Sequence, residues 1–278
     1  MKSYLKWPGG KARLAKRVES LLGGGTRLVE PFVGSGAVFL NLPFASALLG
    51  DADPDVIGLH RAVQQDAEAV LAEARALFTP ACNDKEAYRR LRAEFNAGGQ
   101  SPAERAALML YLNRHCFNGL WRRSGSGAFN VAFGRPASPE IPEESLRAFA
   151  AKAAGADIRH QGFEATFAAL RQGDAVYCDP PYSPLSATSR FTGYSSPFGP
   201  AEHDRLVALC ADAAARGIRV VLSEHDLPAV RERCLAAWPA VRFETEQVRR
   251  SISCNGGNRF LAPELFAVFE PISLAAAA

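Results

Sequence analysis

The sharpest chemical signal in the chain is the tetrapeptide Asp179-Pro180-Pro181-Tyr182, which directly follows the apolar run Ala175-Val176-Tyr177-Cys178. Such a tetrapeptide arises by chance about once in a thousand chains of this length, so a plain proline-rich turn is the weaker reading. In an open α/β sheet, ligands bind at the carboxyl ends of the strands. The exocyclic amine of adenine is a poor nucleophile because its lone pair is delocalised into the ring. Two acceptors aimed at its two N–H bonds favour the geometry in which that lone pair is localised. The Asp179 carboxylate offers one. The Pro180 carbonyl offers the other, because each proline holds the residue before it extended and so fixes where that carbonyl points. Tyr182 can stack on the base, as aromatic side chains do on extruded nucleotides. Aligned with a methyl donor, the amine would react through proximity and orientation.

A second constellation is Glu30-Pro31-Phe32-Val33-Gly34-Ser35-Gly36, which follows the strand-like Thr26-Arg27-Leu28-Val29 and leads into a helical stretch over 37–42. Glycines let the backbone approach a bound cofactor, and the helix N-terminus beyond can receive an anionic group. The next strand-like run ends at Asp51, 17 residues after Gly34, where a carboxylate can hold ribose hydroxyls. Taken alone, this pair fits a nicotinamide enzyme equally well.

The elements that must position these groups follow from apolar periodicity. Short apolar runs at 27–30, 47–50, 175–178, 218–223 and 265–269 predict buried strands, and 200–216 and 226–238 predict helices with one apolar face. Their alternation predicts an α/β, Rossmann-like sheet with helices on both sides. The stretch from 54 to 140 breaks the pattern: it offers helices at 56–77, 85–96 and 102–116, then a glycine-rich polar segment. We read it as an inserted, mainly helical domain over 55–140, between catalytic segments 1–54 and 141–278. His115 shares a helix face with Leu108, Tyr111 and Leu112, which predicts a packed histidine.

Composition sets the outer limits. A chain of 278 residues, 48% hydrophobic, can bury a large core. The net charge of +3 means that any polyanionic partner must be met by a local patch. The six cysteines form no C-x-x-C pair and the five histidines complete no metal spacing with them, so reduced thiols and no metal are expected. The N-terminal stretch lacks a signal-like apolar segment, which predicts a cytoplasmic protein. We assign no role to the alanines at 275–278.

A local patch is visible. Between Arg105 and Pro139 lie Arg105, Arg114, Arg122, Arg123 and Arg135 with no Asp or Glu, although 29 acids in 278 residues would place about four there. A basic, acid-free window is a plausible DNA face, with a solvated arginine surface as the alternative. Within it, Ser124-Gly125-Ser126-Gly127 between Trp121 and Phe129 predicts a β-hairpin. An arginine there can make two hydrogen bonds to one guanine in the major groove, and Arg122 is the candidate.

Taken together, the chain resembles the Dam-type DNA adenine methylases, in which the cofactor motifs precede the target-recognition region and the Asp-Pro-Pro-Tyr motif follows it. The likeness spans nearly the whole chain. It rests on Leu5-Lys6-Trp7-Pro8-Gly9-Gly10-Lys11, Pro31-Phe32-Val33-Gly34-Ser35-Gly36, Tyr111-Leu112-Asn113-Arg114, Phe117-Asn118-Gly119-Leu120, Pro184-Leu185-Ser186-Ala187-Thr188, and Arg249-Arg250-Ser251-Ile252-Ser253 with Asn255-Gly256-Gly257. The resemblance implies S-adenosyl-L-methionine as cofactor, touched by Trp7, Lys11, Asp51 and Asp179, with Phe32, Gly34 and Gly36 in the glycine motif around it. It implies double-stranded DNA as partner, with Lys6 near a guanine, Leu120 near a thymine methyl, and Phe117 and Asn118 at the gap left by a flipped adenine. Arg114 and Arg135 join them from the basic window. The implied target is G-A-T-C, and a monomer associated with the nucleoid of a prokaryote is expected. Departures from the family pattern are Ala132 where a proline is usual, Pro136 where an aromatic can occur, and Phe117 for tyrosine. They leave the chemistry untouched and bear on the target sequence. The segment 183–199, rich in Ser, Gly, Pro and Thr, is expected to act as a lid. Arg249, Arg250 and Arg259 are expected either to touch phosphates or to anchor the sheet edge. Rival readings are a restriction-system methylase with another site, an RNA methylase, and a DNA-binding protein without catalysis.

Overall fold

A computed structural model describes residues 1–183, 198–249 and 261–272. The lid expected over 183–199, apart from its two ends, lies outside these residues. So do the run from Pro184 to Thr188, the Arg249 side chain, Arg250, Arg259, Asn255-Gly256-Gly257 and the terminal alanines.

Seven strands form one sheet: β1 (Arg27–Glu30), β2 (Ala47–Asp51), β3 (Ala156–His160), β4 (Asp174–Cys178), β5 (Arg219–His225), β6 (Arg242–Arg249) and β7 (Leu261–Phe269). Their order is β3-β2-β1-β4-β5-β7-β6. The first five run parallel. β7 lies antiparallel between β5 and β6. Alternate residues of each strand face opposite sides, so the sheet carries two cores. Leu28, Ala175 and Val221 pack on one face, while Val29, Val176 and Val220 pack on the other. The first face is covered by α1 (Ala15–Leu22), α2 (Ala37–Asn41), α3 (Pro54–Gln65) and α7 (Glu143–Ala153); the second by α8 (Phe163–Ala168), α9 (Pro200–Ala215) and α10 (Pro228–Ala237). This is the expected Rossmann-like arrangement. The strand order reverses between β1 and β4, where such folds open a crevice for ligands.

Two strands lie outside the expected set. β3 and β6 flank the sheet, and an edge strand buries little. Only Ile158 of β3 is buried, so its sequence lacks the apolar run that marks its neighbours.

The helical block holds α4 (Ala67–Leu77), α5 (Lys85–Ala97) and α6 (Pro102–His115) beside α3. The single helix expected over 56–77 is two helices hinged at Asp66. The Asp66 N–H closes α3 on the Ala62 carbonyl at 2.9 Å, while its carboxylate accepts the Ala69 N–H at 2.9 Å to open α4. α6 opens with a capping box between Ser101 and Glu104 and then buries every residue from Ala106 to Asn113, the mark of a helix enclosed on all sides. α3 packs on α4 and α6, and also on β2, β3 and α7, so one hydrophobic cluster runs from the sheet into the block. His115 is fully buried, as the helix face predicts, and its ring stacks on Tyr111 at 3.9 Å. Among the described residues no helix is long and apolar enough to cross a membrane.

Candidate active site

At the β1/β4 reversal the chain brings together residues distant in sequence. β4 ends at Cys178, and Asp179 follows at the crevice mouth with its side chain about a quarter exposed, at 25%. Its Oδ1 atom takes the Lys11 ammonium at 3.0 Å and the Ser223 hydroxyl at 3.2 Å. Its Oδ2 has no partner among the described residues. One carboxylate oxygen is thus fixed and the other is left open as an acceptor for an N–H.

Lys11 is 5% exposed and bridges Asp179 to Glu264 of β7, which lies 3.1 Å away. Burial pulls the Lys11 pKa down, but the two carboxylates outweigh it and the net shift is upward. Tyr182 donates its hydroxyl to Glu264 and lies 3.1 Å from Ser223 Oγ. Its ring sits beneath the Lys11 ammonium at 4.8 Å and meets the edge of His225 at 4.9 Å.

The glycine loop is built just as tightly. Gly34 and Gly36 have φ of +47° and +66°, and a Cβ on Gly34 would lie 2.9 Å from Trp7 Nε1. Only glycine lets the Trp7 indole lie against this backbone. The Gly34 N–H donates to Asp51 Oδ2 at 2.9 Å, and the Asp53 N–H donates to Asp51 Oδ1 at 2.9 Å. Burial pushes the Asp51 carboxyl up to about 6 against these bonds. The Gly34 carbonyl lies 2.8 Å from His60 Nε2. Burial lowers the His60 pKa to about 4, so the ring is neutral near pH 7. A carbonyl only accepts, so Nε2 carries the proton and Nδ1 accepts from the Tyr4 hydroxyl. Phe32 leaves the loop on the other side and stacks on Phe163 at 5.6 Å. Trp7, Lys11, Gly34, Asp51, Asp179 and Tyr182 therefore gather at the β1/β4 reversal, while Phe32 packs against the core of the second sheet face.

Sequence reasoning missed Glu264, Ser223, His60 and a buried network behind Tyr182. Glu224 of β5 accepts the N–H groups of Ser183 at 2.9 Å and His225 at 2.8 Å, and lies 3.3 Å from His203 Nδ1. Burial raises its carboxyl from 4.5 to about 7. A raised carboxyl pKa means that the fold favours the protonated form. Its stabilising contribution is therefore full below pH 4.5 and is lost as pH climbs through 7, at most about 3 kcal/mol. Relative to Glu224→Gln, wild-type protein is expected to lose melting temperature between pH 5 and pH 8; parallel melting curves across that range would remove this assignment.

The basic window is less basic in space than in sequence. Asp53 and Asp55, at the start of α3, reach into it. Arg105 pairs with Asp55 at 2.7 Å and lies over Phe95, while Arg123 pairs with Asp53 at 3.3 Å and with Asp55. Trp121 Nε1 also donates to Asp53, at 3.1 Å. These two arginines fasten the turn to the helices. The expected hairpin closes in its shortest form, with a single antiparallel bridge between Arg123 and Phe129 and the Ser124 N–H donating to the Ala128 carbonyl at 2.8 Å. Arg122 is exposed beside it and donates to Asn130 Oδ1 at 2.9 Å.

The other residues expected to face DNA form a continuous rim. Buried Asn113 accepts the Lys6 N–H at 2.8 Å and donates to the Lys6 carbonyl at 2.8 Å, so the exposed Lys6 side chain is held beside α6. A Cβ on Gly119 would meet Lys6 Cβ at 2.5 Å, which brings the turn containing Phe117, Asn118 and Leu120 against the same segment. Phe117 is 54% exposed, large for an unpaired aromatic, and Asn118 beside it adopts a positive φ of 55°. Arg114 is half-buried and donates to the Tyr4 carbonyl at 2.6 Å. Arg135 is exposed and shares a cleft of about 290 Å³ with Lys85, Arg89 and Arg92 of α5, cations the sequence window did not include.

The sequence matches a known family. A family model described as D12 class N6 adenine-specific DNA methyltransferase matches residues 7–250, and the chain belongs to that family. It is accordingly a site-specific adenine DNA methyltransferase: DNA is its substrate and a methyl donor its second reactant. Among its relatives, a protein of Escherichia coli (strain K12) named DNA adenine methylase is 41% identical over 271 residues, covering 97% of this chain and 96% of that protein. One of the same name from Vibrio cholerae serotype O1 (strain ATCC 39541 / Classical Ogawa 395 / O395) is 38% identical over 272 residues, covering 97% and 96%. The DNA N-6-adenine-methyltransferase of Escherichia phage P1 is 37% identical over 268 residues, which is 96% of this chain and 35% of the phage protein.

Proposed function

We propose that the enzyme methylates N6 of an adenine extruded from duplex DNA into the crevice between β1 and β4, with S-adenosylmethionine as donor. The observation that carries this reading is the divided role of Asp179, with Oδ1 held by Lys11 and Ser223 and Oδ2 open at the crevice mouth. Bound S-adenosylmethionine supplies an electrophilic methyl group on a sulfonium. The residues fit it: the Trp7 indole laid against Gly34 is a flat apolar wall, and Asp51, anchored by two N–H groups, is a placed acceptor for ribose hydroxyls. Asp179 Oδ2 and the Pro180 carbonyl accept the two amine hydrogens, Tyr182 walls the base, and the chain's contribution is orientation and charge placement. We further propose that residues 55–140 form the target-recognition region, and that the protein acts as a monomer in the cytoplasm, on nucleoid DNA.

Recognition then falls to the rim. Lys6, Leu120 and Arg122 read base edges, Phe117 and Asn118 fill the gap left by the base, and Arg114 and Arg135 contact the backbone. The target we propose is G-A-T-C, in keeping with relatives named DNA adenine methylase. The test is transfer from labelled S-adenosylmethionine to unmethylated duplex DNA, with the modified base mapped. Methyladenine confined to G-A-T-C supports the whole reading; methyladenine elsewhere rejects the target. Arg122→Ala is expected to narrow the preference for G-A-T-C over single-substitution sites by about 1–3 kcal/mol, roughly 5- to 150-fold in relative rate. Undiminished discrimination in that variant would show that Arg122 reads no base.

A further inference from the structure

Glu264 stands out among the buried groups. It lies on β7, the antiparallel strand beside β5, opposite His225 in register. Its side chain is 9% exposed and turns toward Lys11 and Tyr182 rather than to solvent. There it does two things at once: it accepts the Tyr182 hydroxyl, and it holds the Lys11 ammonium at 3.1 Å. The same ammonium is 3.0 Å from Asp179 Oδ1. Tyr177 and Ser223 complete the layer, with their hydroxyls 2.9 Å apart and Ser223 reaching on to Asp179.

We propose that Glu264 is a positioning residue for methyl transfer, acting through Tyr182 and Lys11 on the placement of the adenine amine against Asp179. The inference rests on the reading that Tyr182 and Asp179 form the base pocket. A tyrosine ring can rotate about two bonds, and a wall that rotates does not orient a base. With its hydroxyl fixed at Glu264, one face under Lys11 and one edge against His225, the Tyr182 ring has a single seat. Lys11, for its part, is a cation near two anions. Shared with Glu264, it rests on Asp179 Oδ1 and leaves Oδ2 open. Without Glu264, the ammonium keeps only the Gly9 carbonyl at 2.9 Å and Asp179, and can turn toward both Asp179 oxygens and occupy the acceptor that the substrate requires. Glu264 also leaves the group of Lys11, Asp179 and Glu264 with one excess negative charge when both acids are ionised, which suits a reaction that moves positive charge from sulfur to nitrogen.

The test is a double-mutant cycle on single-turnover methyl transfer at saturating donor and duplex DNA, with Glu264→Ala, Tyr182→Phe and the double variant. Glu264→Gln serves as the conservative variant, and each variant's folded fraction is read by thermal melting. The expected result is a loss of about 10–100-fold in rate for Glu264→Ala with the KM for DNA little changed, and partial recovery in Glu264→Gln. The double variant is expected to be several-fold faster than the product of the single losses. Full activity per folded molecule in Glu264→Ala, or losses that simply multiply, would overturn the proposal. If Glu264→Ala melts below the assay temperature, the same cycle is run with Glu264→Gln. A 2-aminopurine placed at the target adenine reports extrusion in the wild type separately, so failure of the base-pocket reading shows in that signal and failure of the Glu264 inference shows in the cycle.

Discussion

Asp179→Ala is expected to lower single-turnover methylation of duplex DNA by about 10²–10³-fold or more while leaving a folded protein that still binds the methyl donor. In the proposed mechanism the carboxylate is the acceptor that orients the amine, and a rate loss of that size is what removal of one preorganised polar group from a reacting centre produces. Folding is expected to change little, by about 1 kcal/mol, because the side chain is partly exposed and Lys11 keeps its bond to Glu264. Asp179→Asn sharpens the result. It keeps the shape and one acceptor atom, but places an amide dipole beside the Lys11 ammonium, which selects the rotamer that points the carbonyl oxygen at Lys11 and the NH2 at the substrate. The asparagine variant is therefore expected to be nearly as slow as the alanine variant, with donor binding still measurable in both through Trp7 and Asp51. Methyladenine formation by Asp179→Ala at a rate within tenfold of wild type, in a protein of unchanged melting temperature, would move the reacting centre elsewhere.

The strands that hold this site were legible for a physical reason. β1, β2, β4, β5 and β7 are buried on both faces and read as short apolar runs, whereas β3 and β6 flank the sheet and bury little. Helix hinges are harder to read, since Asp66 caps one helix and opens the next without breaking the apolar pattern on either side. Local motifs found Asp179, Tyr182, Gly34 and Asp51 because their chemistry lies within a few residues of a strand end. Glu264 and His60 have no such signature. The only signal for Glu264 was an acid within the otherwise apolar β7, and its meaning depends on where β7 inserts in the sheet. The arginine window shows the opposite failure: Arg105 and Arg123 look like free cations in sequence and are neutralised by Asp53 and Asp55, some 50 to 70 residues earlier in the chain. The α5 cations in the cleft beside Arg135 escaped notice because Glu86 and Glu94 on the same helix dilute their charge in sequence.

Lys11→Met tests the electrostatic logic most directly. The methionine preserves the apolar stem and removes the charge, leaving Asp179 Oδ1 and Glu264 Oε1 no more than about 6 Å apart, by the distances of both to Lys11 Nζ, and linked only through the Ser223 and Tyr182 hydroxyls. Lys11 opposes the burial and the Asp179 charge that raise the Glu264 pKa, so its removal raises that pKa further and leaves more Glu264 protonated. With the ammonium gone, no charged partner fixes Asp179 Oδ1 either, and the rate is expected to fall about 100-fold. Raising the pH ionises Glu264 and restores the acceptor for the Tyr182 hydroxyl. The variant is therefore expected to regain part of its activity as pH is raised from 6.5 to 9. Wild-type protein has no such rise to make on this account: its Lys11 pKa lies above the ordinary value, so the ammonium is present throughout that range and its stabilisation disappears only as pH climbs past the folded-state pKa. Stability moves with activity, because removing one partner of a buried ion pair costs about 3–5 kcal/mol. Melting temperatures must be measured alongside the rates, and the rates expressed per folded molecule. A Lys11→Met profile that runs flat and parallel to wild type across that range would mean that Lys11 does not control the protonation of Glu264, and that its loss acts on binding alone.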